Sequence, residues 1–463
     1  MSGPIDYNEQ KDPSEWIWKT GSSKTAPKSF EEAMSSPERG IWKNAYQDEY
    51  DRLFKRETFE SSTLPSGRKG IKSRMAFSYD ENGKPRAKLV AIGSSQTRGV
   101  DFEETSAPTL PYGALRLFVA VAASKKMPIH RVVVEDAFLE GKLDKEIYME
   151  LPEGVLTFGF GSECYRLNKP IYGLKQAPRL WNEAIDGFLR SIGFTQSQRE
   201  PCFYFMRKNG KLTMLVIYVD DILVAGENKQ TIEEVKTALK RRYTVDDKGL
   251  AKRYLNINIT QRQGNITLDQ DDYLVQVAKE FGLTDLPPSS NPTPRPTALE
   301  PRDYDSATDA KRFRSLLGKL AYVAKTTRYD LIHCTFALSK YSRDPKKRHL
   351  DALYNAFAFA LYHNDFKLIY APTRERLELE LFVSVDFGKP GLRKRGYGYV
   401  YDLNGSTVLW NNGNEQYETD DFDIANKMAM LMGMKEGEWT VKVLREMGEH
   451  PQAVKVYQDD GSD

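Results

Sequence analysis

Residues 215–226 read LVIYVDDILVAG. Two apolar, β-branched runs flank a pair of adjacent aspartates, Asp220 and Asp221. The pattern predicts two short strands, residues 214–219 and 222–225, with both carboxylates at the turn between them. Aspartate suits turns in general, because its side chain bonds nearby backbone amides. A two-residue hairpin favours Asn-Gly or Asp-Gly, since both central positions take positive φ. Asp-Asp is a poorer choice and sets two like charges side by side. Either the tip is a turn that tolerates aspartate, or it holds something cationic. A pair of divalent metals about 4 Å apart, clamping the entering and leaving oxygens of a phosphoryl transfer, would account for it. Spacing alone leaves both open.

Composition narrows the setting. A chain of 463 residues is long enough for about three domains. Net charge is only +2, so a polyanion partner would need a local basic groove rather than overall charge. The three cysteines, Cys164, Cys202 and Cys334, are scattered, form no CxxC pair and are odd in number. They argue against a disulfide framework and for a reducing, intracellular compartment, cytoplasm or nucleus. The five histidines are dispersed, which argues against a zinc centre. There is no signal peptide and no uninterrupted run of ~18 apolar residues, so no membrane partner is expected.

Residues 1–26 are polar with few apolar anchors and are expected to be disordered. SFEE, Ser29 to Glu32, is a capping box, and Ser36 with Pro37 predicts the start of a second helix. Ile41, Trp42, Ala45, Tyr46, Leu53 and Phe54 form its apolar face. Basic strands flank ENGK (Glu81 to Lys84). ALRLFVAVAASKK (Ala114 to Lys126) predicts a buried helix, and RVVVEDAF a strand opening into a turn. Residues 231–243 predict an amphipathic helix capped by Thr231 and Glu234. LPPSSNPTPRPTALEP (Leu286 to Pro301) is a proline-rich linker. FRSLLGKLAYVA and LIHCTFALSKYS predict paired helices. From about Leu377 strands are expected, then a helix.

YVDD within apolar strands resembles the signature of reverse transcriptases, and its neighbours fix the subgroup. RAKLVAIGSSQTRGVDFEETSAPT (Arg86 to Thr109), DAFLEGKLDKEIYMELPEG (Asp136 to Gly154), YRLNKPIYGLKQAPRLWNE (Tyr165 to Glu183) and SLLGKLAYVAKTTRYDL (Ser315 to Leu331) are similar, in order and spacing, to the copia-type retrotransposon polymerase. The resemblance runs from residue 27 to the end. It implies an α+β, right-hand polymerase: fingers and palm at 27–246, thumb at 247–286, linker at 287–310 and connection helices at 311–372. An incomplete ribonuclease-H-like α/β domain would follow at 373–463. It also implies an RNA-directed DNA polymerase binding an RNA or DNA primer–template and dNTP with Mg2+.

Site residues follow from the same resemblance. Lys72, Arg74, Arg86 and Lys88 would grip triphosphate and template phosphates, as basic groups suit; each could otherwise be a solvated basic face. Phe138 matches the residue that excludes a ribose 2′-hydroxyl, and could otherwise be core. Gln176 matches a glutamine lining the nucleotide pocket, or is an ordinary helix-start residue. Lys175, Arg179 and Trp181 are weaker candidates for template contact or packing. Asp220 and Asp221 would be catalytic metal ligands. The third carboxylate belongs four residues before Ala137, and that position is Val133. Valine has no oxygen to give. Asp136 matches a residue beside the triphosphate. Glu135 stands two residues past Val133, about 6–7 Å along an extended strand, and with Asp136 is the substitute available.

The C-terminal segment shows a second loss. RKRGYGYVYDLNGSTVLW (Arg393 to Trp410) resembles the central strands of the family's ribonuclease H. Its catalytic glutamate falls on Asn426. Its first aspartate falls near Ser384, with Asp386 two residues on, and Asp459 matches the third acid. Asp386, Asp423 and Asp459 could equally be surface residues. YLNINI (Tyr254 to Ile259) has Asn256 where relatives carry glycine. Two functions are therefore expected in competition: an active polymerase using Glu135 or Asp136, or a protein that keeps the fold and nucleic-acid affinity without turnover.

Overall fold

The computed structural model describes residues 25–80, 83–154, 164–293, 299–300, 302, 305–371, 377–386, 396–414, 421–451 and 454–458. The expectations for residues 1–24, for the middle of the proline-rich linker at 294–298 and for Asp459 lie outside the described residues. The architecture is mixed α+β.

Two helices come first, α1 (Phe30–Ser35) and α2 (Arg39–Lys55). Ser29 caps α1, its hydroxyl accepting from the Glu32 amide at 3.1 Å. α2 starts later than Pro37. The Ser36 hydroxyl turns back to the Ala33 carbonyl at 2.9 Å, so Pro37 and Glu38 form a turn before the helix begins. Trp42, Ala45, Tyr46 and Leu53 are buried as the spacing predicts, whereas Ile41 and Phe54 are exposed.

The strand β1 (Phe59–Ser62) precedes a hairpin of β2 (Ser73–Tyr79) and β3 (Pro85–Ala91). The helix α3 (Tyr112–Ser124) is buried on nearly all sides, consistent with its apolar run. Then come β4 (Ile129–Val134), β5 (Ile147–Glu150), β6 (Cys164–Leu167), α4 (Ala177–Ser191), β7 (Thr195–Gln196), β8 (Phe203–Lys208), β9 (Lys211–Tyr218), β10 (Asp221–Gly226), α5 (Lys229–Arg242) and β11 (Val245–Leu250). α5 begins before the predicted Thr231 cap. Asn228 caps it, accepting from the Gln230 amide at 3.0 Å, and Thr231 is buried inside.

A six-stranded sheet runs β11-β4-β10-β9-β8-β7. Alternation along its strands divides two cores. Leu215, Ile217, Ile222, Val224, Val132 and Val134 face α4 and α5; Met214, Val216, Leu223, Ala225 and Ile129 face α3. β11 joins this sheet beside β4, so it extends to Leu250.

Beyond it lie β12 (Arg253–Tyr254), β13 (Ile257–Arg262), β14 (Asn265–Asp269) and α6 (Asp271–Phe281). The helices α7 (Ala310–Thr326), α8 (Ile332–Ser339) and α9 (Lys347–Tyr362) pack with α6 around Leu274, Phe313, Leu320, Leu338 and Phe357. β15 (Leu368–Tyr370) then returns to pair with β14, completing a sheet of order β12-β13-β14-β15. The last described sheet combines β16 (Leu379–Asp386), β17 (Gly396–Leu403), β18 (Ser406–Asn414) and β19 (Lys455–Gln458), with α10 (Phe422–Glu446) against it. Its order is β18-β17-β16-β19, and β16 and β19 run parallel. All three cysteines are buried, and among the described residues none forms a disulfide. Among the described residues no helix is long and apolar enough to cross a membrane.

Candidate active site

The hairpin β9–β10 differs from its sequence expectation by one residue. Tyr218 pairs with Asp221, so the two-residue loop is Val219-Asp220, and Asp221 is the first residue of β10. The aspartates are therefore not both turn residues. One stands in the loop and one in the ladder, which aims them differently. Strain sits on neither: Val219 takes φ 56, a left-handed conformation unusual for a β-branched residue. The Trp181 indole Nε1 donates to the Val219 carbonyl at 2.6 Å and fixes the loop from α4.

Across the sheet, Asp221 pairs in register with Val133 of β4, so Val133 lies beside the carboxylate, as the count from Ala137 implies. On its other flank, Val133 pairs with Asp246 of β11, which is bound to Lys248 at 2.6 Å. Two residues back on the same face of β4 is Arg131. Its Nε donates to Asp221 Oδ1 at 2.8 Å and its Nη2 to Oδ2 at 2.9 Å. Burial pushes the Asp221 carboxyl up to about 6, with Arg131 opposing the shift. Burial also raises the Asp220 carboxyl, and the strongest charge opposing it is Lys88.

Lys88 comes from the β2–β3 hairpin. The register Arg74↔Val90, Ala76↔Lys88 and Ser78↔Arg86 puts Arg74, Arg86 and Lys88 on one face. Lys88 is the member that reaches inward. Its ammonium sits 3.4 Å from the Tyr172 ring centroid. Burial lowers its pKa to about 8, against the pull of Glu49 and Asp220. Arg86 is exposed and bridges Asp80 at 3.2 Å. Lys72 lies exposed just before β2, with its amide bonded to Ser95 Oγ at 2.9 Å.

The substitutes for the third carboxylate are not brought to the pair. β4 ends at Val134, and Glu135 is exposed in the following turn. Asp136 takes φ 53 and ion-pairs with Arg52 of α2. Phe138 is buried against Tyr172, ring centroids 4.5 Å apart. Gln176 is fully buried: its Oε1 accepts from Gln96 Nε2 at 3.0 Å and its Nε2 donates to the Asp101 carbonyl at 2.7 Å. Its amide thus anchors the 96–101 loop. Lys175 lies 4.7 Å from the Phe102 ring centroid, and Arg179 pairs with Asp144 and with Glu183 at 2.6 Å.

At the C-terminal sheet, Asp386 ends β16. Asn426 lies in the first turns of α10, fully buried, with neither amide atom hydrogen-bonded. Asp423 is exposed. Among the described residues no three Asp, Glu, His or Cys side chains converge as a metal site requires.

Sequence reasoning missed Arg131, Arg52, Tyr172 and the Trp181 bond. Arg131 left a signal: a charge two residues from Val133, and so on its face, next to a run of three valines.

The model of a family described as "Reverse transcriptase (RNA-dependent DNA polymerase)" matches residues 56–295. The chain is 29% identical over 451 residues to the retrovirus-related Pol polyprotein from transposon TNT 1-94 of Nicotiana tabacum, covering 94% of this chain and 34% of that one. It is 30% identical over 283 residues to the putative transposon Ty5-1 protein YCL074W of Saccharomyces cerevisiae, covering 60% of this chain and 91% of that one. The chain thus spans about a third of the tobacco polyprotein. A solved structure, a foamy viral protease–reverse transcriptase in complex with double-stranded DNA, aligns over 91% of this chain and 70% of its own, with TM-score 0.47 and 12% identity.

Proposed function

The chain belongs to the reverse transcriptase (RNA-dependent DNA polymerase) family, among the Pol proteins of copia-type retrotransposons, and on that footing we propose that it keeps a polymerase's grip on a primer–template but not its turnover. The observation that carries this is the register Asp221↔Val133. The family's chemistry rests on carboxylates from both strands holding a divalent metal pair, Mg2+ in the active enzymes. Here one strand offers a hydrocarbon. The other's Asp221 has both oxygens engaged by Arg131. This donor set does not fit two magnesium ions. Rescue by Glu135 or Asp136 finds no support, since the first is exposed in a turn and the second is paired with Arg52.

Nucleic-acid binding has firmer support. Arg74, Arg86 and Lys88 share one face of the β2–β3 hairpin with Lys72 just before it, as a phosphate-tracking surface would need. We read β2–β3 with α1 and α2 as fingers, the six-stranded sheet as palm, and β12–β14 with α6 as thumb. The mixed sheet β18-β17-β16-β19 with α10 supports a ribonuclease-H-like domain, in which Asn426 replaces an acid. Primer extension with Mg2+ or Mn2+ tests the proposal on a primed RNA template and on a primed DNA template with dNTPs. No extension is expected. Robust synthesis by the unmodified chain would overturn it. Binding to the same duplex should weaken steeply with salt, and absence of binding at low salt would remove the nucleic-acid partner.

A further inference from the structure

We propose that Arg131 is the resident cation of the aspartate pair, a second barrier that closes the metal position independently of Val133. The assignment rests on the reading above, that this palm does not hold a metal pair, and goes beyond it.

Arg131 and Val133 project from the same face of β4, toward Asp221 on β10. Val133 is directly opposite Asp221, so Arg131 approaches diagonally. Its planar fork takes one carboxylate oxygen at 2.8 Å and the other at 2.9 Å. This two-point, charge-assisted geometry is the strong form of an Arg–carboxylate contact. The side chains are only 21% and 11% exposed. A metal would have to pull Asp221 away and strand a guanidinium where water reaches it poorly. Lys88 supplies the principal opposing charge for Asp220. On the far side of Val133, Asp246 is held by Lys248. Asp221 and Asp246, the two carboxylates flanking Val133 in the sheet, each have a protein cation as partner.

The consequence concerns reversion. In Val133→Asp the new carboxylate would stand opposite Asp221, with the Arg131 guanidinium already bound beside it. An Asp–Arg–Asp cluster would form in place of a metal cage. Opening the position needs both changes, and Arg131→Gln is suited to the second because its amide still donates to Asp221.

The test is Mn2+ binding to the full chain, read by the paramagnetic resonance signal of free Mn2+ and by calorimetry. The variants are the unmodified protein, Val133→Asp, Val133→Asp with Arg131→Gln, and Val133→Asp with Arg131→Lys, each against an Asp220→Asn/Asp221→Asn background. The unmodified protein and Val133→Asp should bind no more Mn2+ than that background. The glutamine double variant should bind about tenfold or more tighter than Val133→Asp. The lysine version, which keeps a cation, should stay weak. Equal binding by Val133→Asp and the glutamine double variant would overturn the role of Arg131 while leaving the missing-carboxylate proposal intact. Primer extension by the unmodified chain is what defeats that proposal. A second measurement decides even if the double variant does not fold. Mn2+ should raise the Tm of the unmodified protein no more than that of Asp221→Asn. A Mn2+-dependent rise lost in Asp221→Asn would overturn the inference.

Discussion

Val219 shows what the YVDD loop costs. A β-branched residue at φ 56 pays of order 1–3 kcal/mol, and the bond from Trp181 to its carbonyl helps hold it there. Trp181→Phe keeps the buried ring but orphans that carbonyl. It should lower the unfolding free energy by about 1–3 kcal/mol, read by chemical denaturation. Glu200 is a second buried residue with a measurable signature. Burial raises its carboxyl from 4.5 to about 7. The folded state therefore binds a proton more tightly than the unfolded chain. The stability this contributes is fully present below about 4.5 and is lost as pH rises through about 7. Glu200→Gln should flatten Tm across that window and raise it at alkaline pH, while the glutamine oxygen can still accept from the Cys202 amide at 3.3 Å. At this scale the sequence was legible where position alone mattered. Val133 could be counted from Ala137 because the motif that the chain resembles carries that spacing. Arg131, Trp181 and Arg52 could not, because their partners come from other elements and no local pattern encodes a diagonal or long-range contact.

Among elements, strand and helix identities followed from periodicity, and their ends followed less well. The cap of α5 lies three residues before the one its sequence suggests. Thr231 with Glu234 has the familiar spacing, but Thr231 is buried within the helix and Asn228 bonds the Gln230 amide. Asn228→Ala should cost about 1 kcal/mol in stability, measured by denaturant titration, and Glu234→Ala, which pairs only at the surface with Lys208, should cost less. The β12–β13 hairpin carries a similar lesson. Tyr254 pairs with Ile257, leaving the two-residue loop Leu255-Asn256, and both residues have positive φ, 49 and 58. Asparagine tolerates that conformation nearly as glycine does. The departure from glycine at 256 therefore leaves the turn in place, and the strain passes to Leu255.

Across the whole molecule, Arg116 joins parts that are far apart in sequence. From α3 it donates to the Val408 carbonyl of β18 at 2.7 Å and to the Lys325 and Thr326 carbonyls at the end of α7 at 2.8 and 2.9 Å. Its guanidinium lies 3.6 Å from the Trp410 ring centroid, and Trp410 bonds the Ala324 carbonyl at 2.9 Å. A cation at a helix C-terminus is well placed against the dipole. Burial lowers its pKa to about 10, still charged at neutral pH. Arg116→Leu leaves three buried carbonyls unpaired and should cost about 3 kcal/mol or more. Hydrogen exchange should quicken in β18 and the end of α7 before it changes in β9 and β10. Uniform acceleration would show that Arg116 does not set this junction. Nothing near Arg116 in sequence announced that role, since an arginine in an apolar helix reads equally as an exposed edge.

The pairing of β14 with β15 has a bearing on how the chain is made. Tyr370, the end of β15, stands 101 residues after Asp269, the end of β14. At roughly 5–20 residues per second, synthesis leaves the β14 edge without its neighbour for about 5–20 s. During that interval Ile266 and Leu268 sit in a strand with one side of its ladder open, which is the geometry that recruits another chain. Nascent protein emerging on crowded polysomes is thus open to mispairing at this strand, and a chaperone that shields extended apolar segments would act there.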